Sequence, residues 1–246
     1  MSASKPQKHQ GQRFEQLDWR KAEMPDRVFE QCTFVDMNFS EGQFDNLRLI
    51  DCTMHNCNFR EANMQFGLFE RTTFFNDTQN KGCNFYGTQL KGASFLHCDL
   101  TLSNFSRAEL YDVMMDTCLA PETQFVLADF TQEVAKNKIV SAAQLLNSNF
   151  TRANFEGAVL EHCNLSRSTL ADVGLERVNF EGADLSNTVL TPVKYVGLRI
   201  FQADLRNADI DNIDVRQLDF AGVKIHQWQM NQLLEKIGLI IFPDGK

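Results

Sequence analysis

No hydrophobic stretch of this chain approaches the ~18 residues that a membrane span needs, so no membrane contact is expected. The opening residues, MSASKPQKHQGQ, hold no apolar signal core; residues 1–11 read as a disordered polar tail. Positive charge is in deficit. Lys and Arg number 24 against 32 Asp and Glu, a net charge of −8. That sign disfavours direct binding to nucleic acid or an anionic membrane and suits a partner that is itself basic. Polar aromatics are scarce, with 3 Tyr and 2 Trp beside 21 Phe. Phe suits a narrow, dry core, because it fills volume without a polar atom to satisfy. Catalytic signatures are missing too: no glycine-rich phosphate loop after a strand, no HExxH and no nucleophile elbow. Neither an enzyme nor a cofactor is expected.

The two common periods of hydrophobicity, 3.6 and 2.0, are also missing. An apolar residue recurs instead at every fifth position. The first run is Phe14, Trp19, Met24, Phe29, Phe34, Phe39, Phe44, Leu49, Met54, Phe59, Met64, Phe69 and Phe74. It resumes one residue out of register at Phe85 and runs through Phe130, then holds from Leu145 to Ile225. A backbone that serves this period must turn a corner once per five residues, which predicts a solenoid. Two residues before each centre the side chain is small, as at Ala62, Thr72, Ala93, Ser103, Ala153 and Ala183. A large and a small inward position then alternate, and the other three positions face water.

All seven cysteines (Cys32, Cys52, Cys57, Cys83, Cys98, Cys118 and Cys163) occupy the small inward position. They read as buried free thiols, in keeping with a reducing cytoplasm, rather than as disulfides or metal ligands. His97–Cys98 and His162–Cys163 imitate ligand pairs, but the repeat points each His outward and each Cys inward. No metal site is expected.

Segments such as Ala153-Asn154-Phe155-Glu156-Gly157 and Ala183-Asp184-Leu185-Ser186-Asn187 resemble the A(D/N)LXX consensus of the pentapeptide-repeat family. The resemblance covers residues 12–225. It implies an all-β fold, a right-handed quadrilateral β-helix with four pentapeptides per coil. About ten coils at ~4.8 Å each would make a rod on the order of 50 Å long. Within the family, the register slip at 75–82 and the Lys81-Gly82-Cys83-Asn84-Phe85 segment that follows resemble the first projecting loop of the Qnr proteins. A second interruption spans 131–144, where Glu133 and Lys138 stand at the small position, so about two pentapeptides are expected to loop out. Qnr proteins carry a second, longer loop at a comparable place. Asp214-Val215-Arg216, Gly222-Val223-Lys224 and Leu233-Leu234-Glu235-Lys236-Ile237-Gly238 are similar to the Qnr ending. The chain departs from that family in its longer N-terminus and in the sequence of its second loop.

After Ile225 the period changes. Met230, Leu233, Leu234 and Ile237 fall at i, i+3, i+4 and i+7, one face of a helix, and Gly238 can end it. Leu239–Phe242 reads as a short apolar strand. Residues 226–246 are therefore expected to form a helix-strand module that either caps the open solenoid end or seals a two-fold dimer. Resemblance to Qnr, which dimerises there, favours a homodimer through Met230, Leu233, Leu234, Ile237, Ile240 and Phe242.

Outward residues grouped at intervals of twenty predict two acidic sides. One holds Glu109, Asp112, Asp129, Asp172, Asp209 and Asp211; the other holds Asp99, Glu122, Glu161, Glu181 and Asp219. Some 50 Å of duplex DNA would carry about thirty charges. A chain of net −8 copies the width and sign of DNA rather than its charge density. Resemblance to Qnr implies a DNA mimic that binds a type II topoisomerase, DNA gyrase or topoisomerase IV, and protects it from quinolone-like poisons. The contact residues would be Asn76, Asp77, Gln79 and Lys81 in the first loop and Glu133, Lys136, Lys138 and Ile139 in the second. The other readings are a non-catalytic scaffold for an unrelated protein and immunity against a gyrase-targeting toxin.

Overall fold

The computed structural model describes residues 7–136, 138–211 and 213–242. Each pentapeptide is a short bridge followed by a corner. Two residues past most inward centres the backbone enters the left-handed region, from Gln16 (φ 52°) through Asn56 (φ 55°) to Asn207 (φ 59°). Such φ values are uncommon outside glycine, though Asn and Asp tolerate them. Hydrogen bonds on either side hold the corner. Ala22 N–H donates to the Trp19 carbonyl at 3.0 Å, and Ala153 N–H to that of Phe150 at 2.9 Å. The Asn or Asp before a centre accepts from the backbone two residues on: Arg60 N–H to Asn58 Oδ1 at 3.2 Å, Glu156 N–H to Asn154 Oδ1 at 3.0 Å, Ser186 N–H to Asp184 Oδ1 at 2.9 Å. The repeated Asn/Asp-apolar dipeptide is thus turn chemistry as well as core patterning.

Four corners return the chain to its starting side, and successive coils pair in parallel. On the first side the register runs 8, 28, 48, 68, 94, 114, 144, 164, 184, 204 and 224. The step is twenty residues except across 68–94, where it is 26, and across 114–144, where it is 30. The fold is the right-handed quadrilateral β-helix. Six residues leave the ladder at the first interruption and ten at the second. Among the described residues no helix is long and apolar enough to cross a membrane.

The core is a set of side-chain columns. Phe39, Phe59, Phe85, Phe105, Phe125 and Phe155 stack ring on ring along the third side, with centroids 4.5–5.3 Å apart and planes within 13°. The small column has its own logic. Cys52 Sγ donates to the Phe29 carbonyl (3.3 Å), Cys98 to Phe69 (3.2 Å), and Cys118 to Phe95 (3.3 Å), each in the preceding coil. Thr72 and Ser168 hydroxyls do the same toward Leu49 (3.1 Å) and Leu145 (2.7 Å). Cys, Thr and Ser interchange there because each is a small donor under a carbonyl. All seven cysteines are buried and free. Burial pushes the Cys52 thiol up to about 11 and that of Cys163 to about 12, so neither ionises near neutrality. Ellman's reagent at pH 8 is expected to find almost no reactive thiol in the native protein and all seven after unfolding in guanidinium.

Two expectations change, and the grouping of the acidic residues is decided by the length of the second excursion. The solenoid begins inside the segment read as tail: strand Lys8–Gln10 pairs with Val28–Glu30, and His9 stacks on Phe29 at 4.9 Å. His9 sits five residues before Phe14 and fills the inward position with a ring that an apolar count does not register. Residues 1–6 of that tail lie outside the described residues. At the other end, Leu239–Phe242 is not a strand; the chain there leaves the helix through Gly238 (φ 85°) and forms no bridge with another described residue. Finally, the ten-residue excursion exchanges opposite sides. Glu109, Asp112 and Asp129 join Glu161, Glu181 and Asp219 on the fourth side and its corner, while Asp99 and Glu122 join Asp172, Asp209 and Asp211 on the second.

Candidate partner-binding surface

Both interruptions are antiparallel hairpins, and both leave the rod at corners. The first lies between Phe74 on the second side and Phe85 on the third; the second lies between Phe130 on the fourth and Leu145 on the first. Those corners are diagonally opposite. The hairpins stand about two and a half coils apart, on the order of 12 Å along the axis.

In the first hairpin Phe75–Asn76 pairs with Lys81–Gly82. Its four expected contact residues separate into two kinds. Asp77, Gln79 and Lys81 are exposed. Asn76 is buried, and its Oδ1 accepts from Gln79 N–H at 3.2 Å, so it shapes the loop from inside rather than meeting a partner. Gln79 Oε1 accepts from Asn56 Nδ2 at 2.7 Å and ties the tip to the coil beneath. Gly82 closes the hairpin against the coil above: a Cβ there would lie 2.3 Å from the Leu102 carbonyl carbon and 2.4 Å from Ser103 N. Backbone cannot yield as a flexible side chain does. Gly82→Ala is expected to destabilise the protein by roughly 1–3 kcal/mol, lowering the melting temperature by on the order of 5 °C in a thermal scan.

In the second hairpin Thr131–Ala135 pairs with Lys138–Ser141, with Glu133 opposite Ile139. Asp129 Oδ1 anchors its root, accepting from Thr131 N–H at 2.8 Å and Oγ1 at 2.7 Å. Glu133, Lys136, Lys138 and Ile139 are all exposed, Ile139 by 64%. Val134, half exposed, is a second apolar group on this arm that the sequence reading passed over. Its sequence signal is a β-branched residue in a segment that pairs as a strand within the hairpin itself.

Helix α1 (Gln227–Lys236) lies across the end of the rod. Gln229, wholly buried, is its latch. The side-chain amide donates to the carbonyls of Leu205 (2.8 Å) and Ala208 (3.1 Å), and its oxygen accepts from the N–H groups of Asn207 (3.2 Å) and His226 (2.8 Å). Lys236 Nζ donates to the Ile210 and Asp211 carbonyls at 2.8 and 2.7 Å. Open-coil carbonyls are thereby satisfied. A polar residue on a helix gives no sequence sign of such a role. Leu233 is buried against the last coil, whereas Met230 and Ile237 are exposed. With Leu234 these three line a hollow of about 300 Å³ shared with Val215, Phe220, Val223 and Ile225. Ile240 and Phe242 beyond it are each 81% exposed. The chain thus both caps its rod and leaves apolar surface beside the cap.

Charge on the rod is partly cancelled across coils. Arg152 meets Glu122 at 2.6 Å, Arg199 meets Glu181 at 2.6 Å, and Arg71 meets Asp51 at 2.6 Å. The Arg71 guanidinium holds the Asp51 carboxyl below its ordinary range. No ion pair among the described residues involves Glu109, Asp112, Asp129, Asp172, Asp209, Asp211 or Asp219, which keep the second and fourth sides acidic. No group of three or more His, Cys, Asp or Glu among the described residues is placed to hold a metal.

A family model described as pentapeptide repeats matches residues 28–65, 83–119 and 143–191 in eight copies, half of the chain. The chain belongs to the pentapeptide-repeat family. The gaps between the matched stretches contain the two hairpins. Among curated relatives, the quinolone resistance pentapeptide repeat protein QnrB96 of Scandinavium goeteborgense is 29% identical over 107 residues, 44% of this chain and 50% of that one. The pentapeptide repeat protein QnrB4 of Escherichia coli is 28% identical over 115 residues, 47% and 54% of the two chains. The match spans about half the length of these relatives. The full-length structure of QnrB1, a plasmid-mediated fluoroquinolone resistance protein, superposes with a TM-score of 0.75 at 24% identity, covering 94% of this pentapeptide-repeat chain and all of that one. The likeness shows the shared fold.

Proposed function

We propose that this protein protects a type II topoisomerase, DNA gyrase before topoisomerase IV, from quinolone-like poisons, as a non-catalytic homodimer in the cytoplasm. The observation that carries the reading is a rod interrupted, among the described residues, by two hairpins, in a chain similar to a relative named for quinolone resistance. The hairpins present Asp77, Gln79 and Lys81 at one corner and Glu133, Lys136, Lys138 and Ile139 at the other. Binding residues set on loops over a rigid scaffold lose little entropy on contact. Acid on two opposite sides steers the rod toward a basic DNA-binding saddle at low salt, with DNA's sign and width but not its charge density. Ile240 and Phe242, with Met230 and Ile237, would form the two-fold contact, doubling the rod to on the order of 100 Å.

A gyrase supercoiling assay at a fixed inhibitory dose of ciprofloxacin tests the reading. Recovery of supercoiling as the protein is added supports it, and inhibition again at high concentration would mark competition with DNA. No recovery with gyrase or with topoisomerase IV would overturn it.

A further inference from the structure

The first side of the rod differs from the rest in what it shows to solvent. On the third side the outward residue before each centre is Asn38, Asn58, Asn84, Asn104, Gln124 and Asn154. On the first side, over the rungs from 28 to 146, the residues flanking the centres are apolar by turns: Val28, Ile50, Leu68, Leu96, Met114 and Leu146. Each occupies one rung, and they alternate between the column before the centre and the column after it. All six stay partly exposed, although they flank fully buried centres. Phe66, 56% exposed, stands at the corner leading onto this side. The pattern stops there: the following rungs carry Asn164, Ser166, Asp184 and Ser186.

We infer that this side docks an amphipathic α-helix with basic flanks, lying along the rod axis. The geometry selects a helix. The zigzag advances one apolar residue per rung, ~4.8 Å, changing column each time. A helix seam with apolar residues alternately three and four apart also zigzags, advancing ~5.2 Å per apolar residue. Over five steps the two patterns drift apart by only about 2 Å, so some sixteen residues of helix, ~24 Å, would cover the stripe. Charge selects the flanks. The two outward columns hold Glu30, Glu70 and Asp116 against Lys8 and Arg48, an excess of acid in which Lys8 pairs with Glu30 at 2.8 Å and Arg71 with Glu70. Asp51 and Asp112 border them with Arg71. A second copy of this chain fits poorly, because the same acids would face one another in a protein of net charge −8. The inference does not depend on the topoisomerase reading.

The test uses the full chain and a fluorescein-labelled 18-residue peptide with leucines at alternating three- and four-residue spacing and flanking lysines. A scrambled peptide of equal composition is the control. Fluorescence anisotropy is expected to show saturable binding of the patterned peptide, weaker at higher salt, and at least tenfold weaker binding of the scrambled one. Leu96→Glu with Met114→Glu should weaken patterned binding at least tenfold. Because two outward carboxylates could disturb folding, Leu96→Ser with Met114→Gln repeats the test with residues that the columns already hold at Ser94 and Gln144. Amide exchange should show new protection on the first side alone. Equal binding of both peptides, or unchanged affinity in a folded double variant, would overturn the proposal. So would self-association in sedimentation that the same variants abolish, since the side would then serve a second copy.

Discussion

Deleting residues 132–141 should leave a folded rod that no longer protects its target. Ten residues are the whole excess of the second interruption, where pairing steps by 30 instead of twenty. Their removal joins Thr131 to Ala142, so Phe130, Thr131, Ala142, Ala143, Gln144 and Leu145 read as one uninterrupted repeat. Ala143 keeps the small inward place that it already fills. The hairpin packs chiefly on itself, so its loss should change the melting temperature by only a few degrees. Gel filtration and thermal scans check the fold, and the ciprofloxacin assay reads the function. If a folded deletion variant protects as well as the parent, recognition does not reside in Glu133, Lys136, Lys138 and Ile139.

Phe105→Ala should cost about 3–5 kcal/mol, the range for deleting a buried aromatic ring. The ring is wholly buried and stacks on Phe85 at 4.5 Å with a 3° tilt and on Phe125 at 5.3 Å with a 12° tilt. Relaxation is restricted, because each ring's position is fixed by a backbone bridge on both sides. In a solenoid the damage is local. Amide exchange should accelerate most in the coils around 85–130, and much less beyond 165. Uniform acceleration along the chain would show that the rod unfolds as one unit.

The regular parts of this fold were legible because geometry writes them every five residues. A side chain at an inward position must be apolar and sized to its column, and the consensus dipeptide must form the turn. Both demands appear in the sequence as residue types. His9 escaped because its ring enters the column without being apolar. Contacts between distant residues leave no such trace. Gln229 reaches Leu205, Asn207 and Ala208, and only the position of α1 reveals that its amide is fully paired there. Asn76 drew attention as a polar loop residue, yet the hairpin turns it inward. The side assignment of the acidic residues depended on the length of the second excursion, since ten residues move every later side chain by half a turn.

Because both hairpins branch from corners, the coil before and the coil after each of them stack as though nothing intervened. Insertions of six and of ten residues have equal standing, and the first shows that the length need not be a multiple of five. Acquiring a new binding arm therefore asks nothing of the scaffold except a corner, and every coil has four. A lineage built on this plan can change targets by lengthening a bend while its core sequence stays as it was. The same property recommends the rod as a mount for grafted loops, whose spacing would be chosen in steps of one coil and whose bearing would be chosen in quarter turns.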